Sequence, residues 1–594
     1  MAPGFFVERM CHLCAMRVPI LASTIAITVS AMAQWSFQGN TTPTWEQVIA
    51  RCEQLDRNHR GAKLLTLGED DGGQPIHLFV ISDGSGFTPD SIRAAGKHIL
   101  WITNGIHPGE PDGIDASLML AQALLESDQL MGLAVHTAVC IVPVYNVSGA
   151  VERGAHSRAN QLGPMEYGFR ANALNLDLNR DFIKMDARNT WTLVKALTTW
   201  DPDIYFETHV SDGADHRYVM ELLTTQKNKL DITLGQFLEH ALIPGLYEWM
   251  DRKEVLMCPY FETVADVPDS GLVGFYDSPR YSTGYNALFD RIGILSETHM
   301  LKPYADRVNA TLQLMLATLA VMDRHKENLK QARMTAKARS AATGEVGFNW
   351  VLDTARVEDL PWKGYAAVIE PSKVSGLPRL RYDHERPVDT NVPWMDEYRP
   401  SLVIPKPAAY VVPGQWRAVI DRLEASGVML ERLRQDTRMS VWRDSIVSFT
   451  TVPGPYEGHY LHRKVTTTTT RAEVTVHAGD VLVRMGLPTD RFAMEVLEPK
   501  AEDSYFAWNF FDAMLQQKEW FSDYVFEDIA ADLLEKDPML KEALEAERAA
   551  DPDFAADAWA QLLFIYQRSP YFERSYREYP VMRLMELPAE LRGH

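Results

Sequence analysis

The stretch Ile99-Leu-Trp-Ile-Thr-Asn-Gly-Ile-His107-Pro-Gly-Glu110-Pro-Asp-Gly113 runs from an apolar, strand-like segment through a turn toward a helix. It sets a histidine and a glutamate three residues apart where the strand ends, a place where an enzyme can hold a metal. In a chain with 17 histidines such a pair carries little weight alone, and a polar turn is the plain alternative. Context supplies the weight. Further along come Asn175-Leu-Asp-Leu-Asn179-Arg180-Asp181, then Asp203-Ile-Tyr-Phe-Glu-Thr-His209, then Ile292-Gly-Ile-Leu-Ser-Glu297.

Runs beginning at His77, Ile99, Thr137, Ile204 and Ile292 are nearly continuous in apolar residues rather than alternating, as strands buried on both faces are. Between and after them lie helical patterns over 114–130, 189–200, 234–250 and 305–324. Strands alternating with helices over this span predict an α/β fold, a mixed and mostly parallel sheet flanked by helices. In such sheets functional groups collect at the carboxyl ends of strands. His107, His209 and Glu297 all stand at or just past such ends.

The four polar stations, in this order, resemble the zinc carboxypeptidases of the carboxypeptidase A type. The resemblance covers roughly residues 45–330. It implies one Zn2+ per chain held by His107, Glu110 and His209, with a fourth position left for water. Asp177 stands where the family has an aspartate supporting the first histidine. Glu297 matches the general base that takes a proton from zinc-bound water, whose pKa zinc brings to roughly 7. A glutamate buried in an ion pair with Arg291 is the alternative, and His299 is a competing ligand or base.

Asn179 and Arg180 match the family's pair that anchors the substrate carboxylate, a task suited to the planar guanidinium fork. Arg158, in Ser-Arg-Ala-Asn, is the choice for the arginine that polarises the scissile carbonyl, with Arg170, in Gly-Phe-Arg-Ala-Asn, as competitor. On the loop Gly274 to Tyr285, Tyr276, Tyr281 and Tyr285 are candidates for a residue closing over substrate, Tyr281 foremost, and Arg280 for an extra clamp. Two departures from the digestive enzymes matter. Asp181 follows Arg180 directly, and Asp212 and Asp215 closely follow the third ligand. These acids either favour basic ends or hold loops.

At 594 residues the chain is too long for one core. Residues 1–33 read as a signal peptide. Arg9 and Arg17 precede an uncharged apolar run shorter than the roughly 20 residues a membrane span needs, and Ala31-Met-Ala33 ends it as a cleavage pattern. The reading is an exported protein, periplasmic or extracellular, with no stable membrane association after cleavage. A catalytic domain is expected over 40–335, a β-rich accessory domain over 340–498, and a helical C-terminal region over 499–594. The first is the zinc-carboxypeptidase-like part. The second is punctuated by prolines too often for long helices, although 414–426 reads as one helix, and Thr466 to Thr470 as an exposed strand.

A formal net charge of −21 makes nucleic acid a poor partner. Three cysteines would survive cleavage, so no disulfide framework is expected, and Cys140 reads as a packing residue. The expected partner is a peptide with a free C-terminus, and the expected reaction is hydrolysis of its last peptide bond. A zinc-dependent deacylase of the succinylglutamate desuccinylase or aspartoacylase kind is the alternative within the same fold. A non-catalytic peptide- or polymer-binding protein is the alternative outside it.

Overall fold

A computed structural model describes residues 39–84, 86–588 and 591. The expected signal peptide lies outside the described residues. The strands up to the last of the four stations are β1 (Ala62–Glu69), β2 (Pro75–Ile81), β3 (His98–Thr103), β4 (Thr137–Val142), β5 (Ile204–Ser211), β6 (Met220–Thr224), β7 (Met257–Pro259), β8 (Phe261–Thr263), β9 (Leu272–Gly274) and β10 (Ile292–His299). All except β8 and β9 form one sheet in the order β1-β2-β4-β3-β5-β10-β6-β7.

Its centre, β4-β3-β5-β10, is parallel. Every residue of β3, β4 and β5 is buried, which is what their unbroken apolar runs demand. Antiparallel pairing enters at β1–β2, β2–β4 and β6–β10. The mixed, mostly parallel sheet of the sequence reading is thus the observed one. Cys140 lies buried in β4 as a free thiol.

Helices Asp112–Glu126 and Tyr304–Arg324 pack on each other and against the sheet. The helical pattern over 234–250 is interrupted in the structure. Ile232–Phe237 passes into a π turn at Leu238–Leu242 before Ile243–Arg252 resumes. Pro244 explains the break, because it lacks the N–H that an unbroken α-helix would require there.

The later strands are β11 (Glu345–Leu352), β12 (Glu358–Pro371), β13 (Pro378–Met395), β14 (Tyr398–Pro405), β15 (Ala409–Val412), β16 (Leu430–Arg432), β17 (Thr437–Thr451), β18 (His462–Val476), β19 (Val481–Arg484) and β20 (Met582–Leu584). The β12–β13 hairpin joins β9 and β8 in one small sheet, so it is fused to the first half through main-chain pairing of Trp394 with Leu272. A six-stranded sheet, β16-β19-β15-β20-β17-β18, follows. Its member β20 returns from beyond the helices Asp523–Lys536, Pro538–Ala550 and Ala558–Arg568, which share a core of Phe526, Leu544 and Tyr566. Thr466–Thr470 runs along the exposed strand β18.

One glycine sets how closely the first long helix approaches the sheet. A Cβ on Gly113 would lie 2.0 Å from Thr208 Oγ1 of β5. Only glycine therefore lets the helix start directly behind Glu110 while its first turn touches the strand carrying His209. Gly113→Ala is expected to destabilise the protein by about 1–3 kcal/mol through overpacking. Urea unfolding checks it, and a midpoint equal to wild type would show that the helix and strand can part freely.

Candidate active site

The loop after β3 places His107 and Glu110, with the Glu110 amide donating to the His107 carbonyl at 2.9 Å. His209 sits in β5, and its in-register neighbour across the parallel pair is Glu297 of β10. His107, Glu110 and His209 are all buried, and one ligand atom from each lies within 4.8 Å of the others. Glu110 Oε2 stands 3.3 Å from His107 Nδ1 and 3.2 Å from His209 Nδ1. Bonds of about 2.0–2.1 Å to a tetrahedral zinc would put ligand atoms about 3.3 Å apart.

The outer nitrogens are just as specific. His107 Nε2 meets Asp177 Oδ1 at 2.9 Å and His209 Nε2 meets Glu207 Oε2 at 2.9 Å. Each carboxylate holds the proton on Nε2 and turns the Nδ1 lone pair inward. His107 Nδ1 is then buried with no hydrogen-bond partner, an arrangement a bound cation satisfies. The donor set, two imidazoles and a carboxylate, is the chemistry that zinc takes. These residues fit the ion.

Electrostatics point the same way. Burial would lower the His209 imidazole, but Glu297, Glu110 and Glu207 outweigh it and drive it well above its ordinary range. Without a metal, the site thus draws a positive charge onto a ligand. Burial would raise Glu110, yet the charges of His107 and Arg158 and the His209 hydrogen bond hold it well below the usual carboxylate range. Glu297 is pushed up to about 8, first by burial and then by Glu110 and Glu221, with His209 and His107 opposing. A cation bound beside it would bring that value down.

A cavity of about 250 Å³ opens on these groups, lined also by Arg158, Arg170, Asn179, Arg180 and Tyr281. Arg158 donates to Glu110 Oε1 at 2.7 Å and to the Val210 carbonyl at 3.3 Å. Arg170 forks onto Asp177 Oδ2 at 3.0 and 2.8 Å and turns its remaining nitrogen toward Glu110, with Glu297 also in electrostatic reach. Arg180 lies over the Tyr281 ring at 4.5 Å. Asn179 Oδ1 accepts from the Ser282 amide. Leu223, Tyr260, Phe275 and Leu295 also line it, with Asp212 among the lining groups.

Several sequence candidates are drawn elsewhere. Arg291 pairs with Asp201 at 3.2 Å, so it is not the partner of Glu297. Tyr276 bonds to Glu502 and stacks on Tyr398, and Tyr285 is buried against Ser426. Arg280 is spent on Asp503 at 2.9 Å and lies over Trp508. Asp181 is buried on Lys184 and accepts from Thr190 and two backbone amides, so it holds a loop. Asp215 is taken up by Lys302 and His384.

Two contributors were not singled out from the sequence. Glu207 carried a readable signal, since it stands two residues before His209 and therefore on the same strand face. It is fixed by the Tyr205 and Ser282 hydroxyls, both at 2.6 Å. Glu457, in the loop between β17 and β18, accepts the Asp177 amide at 2.7 Å. No local pattern marks a contact across 280 residues.

Residues 48–270 match the zinc carboxypeptidase family. Over those residues the chain is similar to that family. Carboxypeptidase 2 of Trichophyton rubrum is 22% identical over 452 residues, spanning 73% of this chain and 78% of its own. Carboxypeptidase 2 of Trichophyton equinum is 22% identical over 433 residues, spanning 70% and 74%. Among solved structures, a metallo-carboxypeptidase from Burkholderia cenocepacia aligns with a TM-score of 0.36 and 17% identity over 48% of this chain and 69% of that one. Carboxypeptidase A from Helicoverpa armigera aligns with a TM-score of 0.36 and 15% identity over 52% and 79%. The family match and the fungal relatives support a peptidase enzyme, against the non-catalytic reading. Within the domain, Glu207→Gln is expected to weaken zinc binding about 10–100-fold, because the amide supports the His209 tautomer less well. Competition with a chromophoric chelator measures this, and unchanged affinity would leave Glu207 a packing group only.

Proposed function

We propose that the protein is a zinc metallocarboxypeptidase that removes the last residue from peptides with a free C-terminus. The observation that carries this reading is the convergence of two carboxylate-anchored imidazoles and Glu110 on one point, facing a glutamate that has no hydrogen bond or ion pair of its own among the described residues. His107, Glu110 and His209 would hold one zinc. Bound there, zinc supplies a Lewis acid that activates water and polarises the scissile carbonyl.

The other roles belong to the chain. Glu297 takes a proton from the attacking water and passes it to the departing amine. Arg170, 44% exposed, faces the cavity across from Glu297 and donates to the oxygen on which negative charge develops. Arg158, 15% exposed and bonded to a strand carbonyl, serves to fix the outer oxygen of Glu110. Asn179 and Arg180 receive the terminal carboxylate, and Tyr281, already stacked on Arg180, closes over it. The lining residues Leu223, Tyr260, Phe275 and Leu295 suit an aliphatic or aromatic terminal side chain.

Turnover of peptides ending in free Phe or Leu, followed by mass spectrometry, tests the reading. Glu297→Gln is expected to retain zinc and lose about 10²–10⁴-fold in kcat. Normal turnover in that variant would remove Glu297 as the base. Arg180→Ala should raise KM about 10–100-fold for free-acid peptides and leave their amidated counterparts nearly unaffected. Equal losses on both would remove the carboxylate anchor. Release of acyl groups in place of amino acids would replace the peptidase reading with the deacylase one.

A further inference from the structure

The sheet that carries His209 and Glu297 continues beyond them. Two residues further along the same strands, on the same face, stand Ser211 and His299, paired across β5 and β10. On the other side of β10, Glu221 of β6 is the in-register neighbour of Glu297. His216, from the turn between β5 and β6, folds back over this step. His216, Glu221 and His299 are all buried, and one ligand atom from each lies within 4.8 Å of the others. We infer that these three residues form a second zinc site, separate from the one in the cavity.

The donors are arranged as ligands are. His216 Nε2 stands 3.0 Å from Glu221 Oε1, and the Ser211 hydroxyl donates to that same oxygen at 2.7 Å, fixing the carboxylate from behind. The two imidazole rings are 4.5 Å apart. His299 Nε2 is buried without a hydrogen-bond partner, and its Nδ1 receives the long, 3.3 Å approach of the Leu301 amide. An ordinary imidazole–carboxylate hydrogen bond between His216 and Glu221 leaves that Nε2 unexplained, whereas a shared metal uses it. Lys302, the ammonium beside the cluster, is engaged by Asp215 and the His216 carbonyl.

The surroundings favour a structural ion over a catalytic one. Tyr218, Phe261 and Trp362 pack around His216, at 5.5, 5.9 and 5.5 Å between ring centres. A group of three buried polar residues in an aromatic box has no solvent to fall back on. Two nitrogens and one carboxylate oxygen select zinc or a similar divalent transition metal over calcium or magnesium. His216 also bridges by backbone to Gly364 of β12, so a metal here would staple the small sheet to the large one.

The test is metal stoichiometry on the full-length protein, supplied with zinc during expression and measured by elemental mass spectrometry. Wild type is expected to hold two zinc ions per chain, and His107→Ala and Glu221→Gln one each. Dialysis of folded wild type against a chelator should strip the ion in the open cavity and leave one that departs only on denaturation. If Glu221→Gln fails to fold, this retained equivalent in wild type decides the matter. One zinc in wild type that vanishes in His107→Ala and survives in Glu221→Gln would overturn the second site. So would the absence of a chelator-resistant equivalent. One zinc that survives in His107→Ala and is lost in Glu221→Gln would keep the second site and overturn the first.

Discussion

Buried negative charge governs this molecule's centre. Asp177, Glu207, Glu110 and Glu297 surround two imidazoles at the carboxyl end of a parallel sheet, mostly buried and so poorly screened by water. Carboxylates so placed repel one another and lose hydration, a debt that only a cation in their midst settles. Arg158, Arg170 and Arg180 compensate part of it from the rim. The remaining deficit lies at the focus of the two inward nitrogens. The raised His209, the partnerless His107 Nδ1 and the raised Glu297 are three expressions of that one imbalance.

The sheet makes the imbalance tolerable by rigidity. His209 and Glu297 are locked in register on neighbouring parallel strands, and Glu110 is pinned by the Val210 amide at 3.0 Å. Gly113 lets the following helix begin without pushing the loop away. Functional groups so fixed need little reorganisation when charge moves during reaction. The second half of the chain adds to this fixity. Arg422 bonds to the carbonyls of Lys184 and Met185, His459 meets Asp186 at 2.7 Å, and Arg280 is held by Asp503. The segment bearing Asn179 and Arg180, and the loop bearing Tyr281, are thus both braced from outside the catalytic sheet.

How much of this could be read from sequence follows from how local each signal is. The central strands declared themselves because burial on both faces forces unbroken apolar runs. The pair His107 and Glu110 sits within one turn, and the order of the remaining stations is a one-dimensional pattern. Short strands such as β6 and the edge strand β7 left no such trace, and the π turn at Leu238–Leu242 is a local compromise around Pro244. The three candidate tyrosines share one loop, so only the fold separates Tyr281 from Tyr276 and Tyr285. The acids near the anchor were ambiguous for the same reason. Asp181 looks outward in a sequence and is sealed inside the structure. Glu457 was out of reach, since nothing near it announces that its carboxylate will meet the Asp177 backbone.

That last contact has a bearing on how the enzyme comes to life. Asp177 orients the His107 imidazole, and its own amide is caught by a side chain that emerges from the ribosome 280 residues later. Arg280 likewise waits for Asp503. A nascent chain can therefore complete its entire catalytic sheet and still lack the braces of its reaction centre. Contacts so distant in sequence form last and slowly. The braces of the cavity are thus supplied by segments synthesised after every strand of the large sheet.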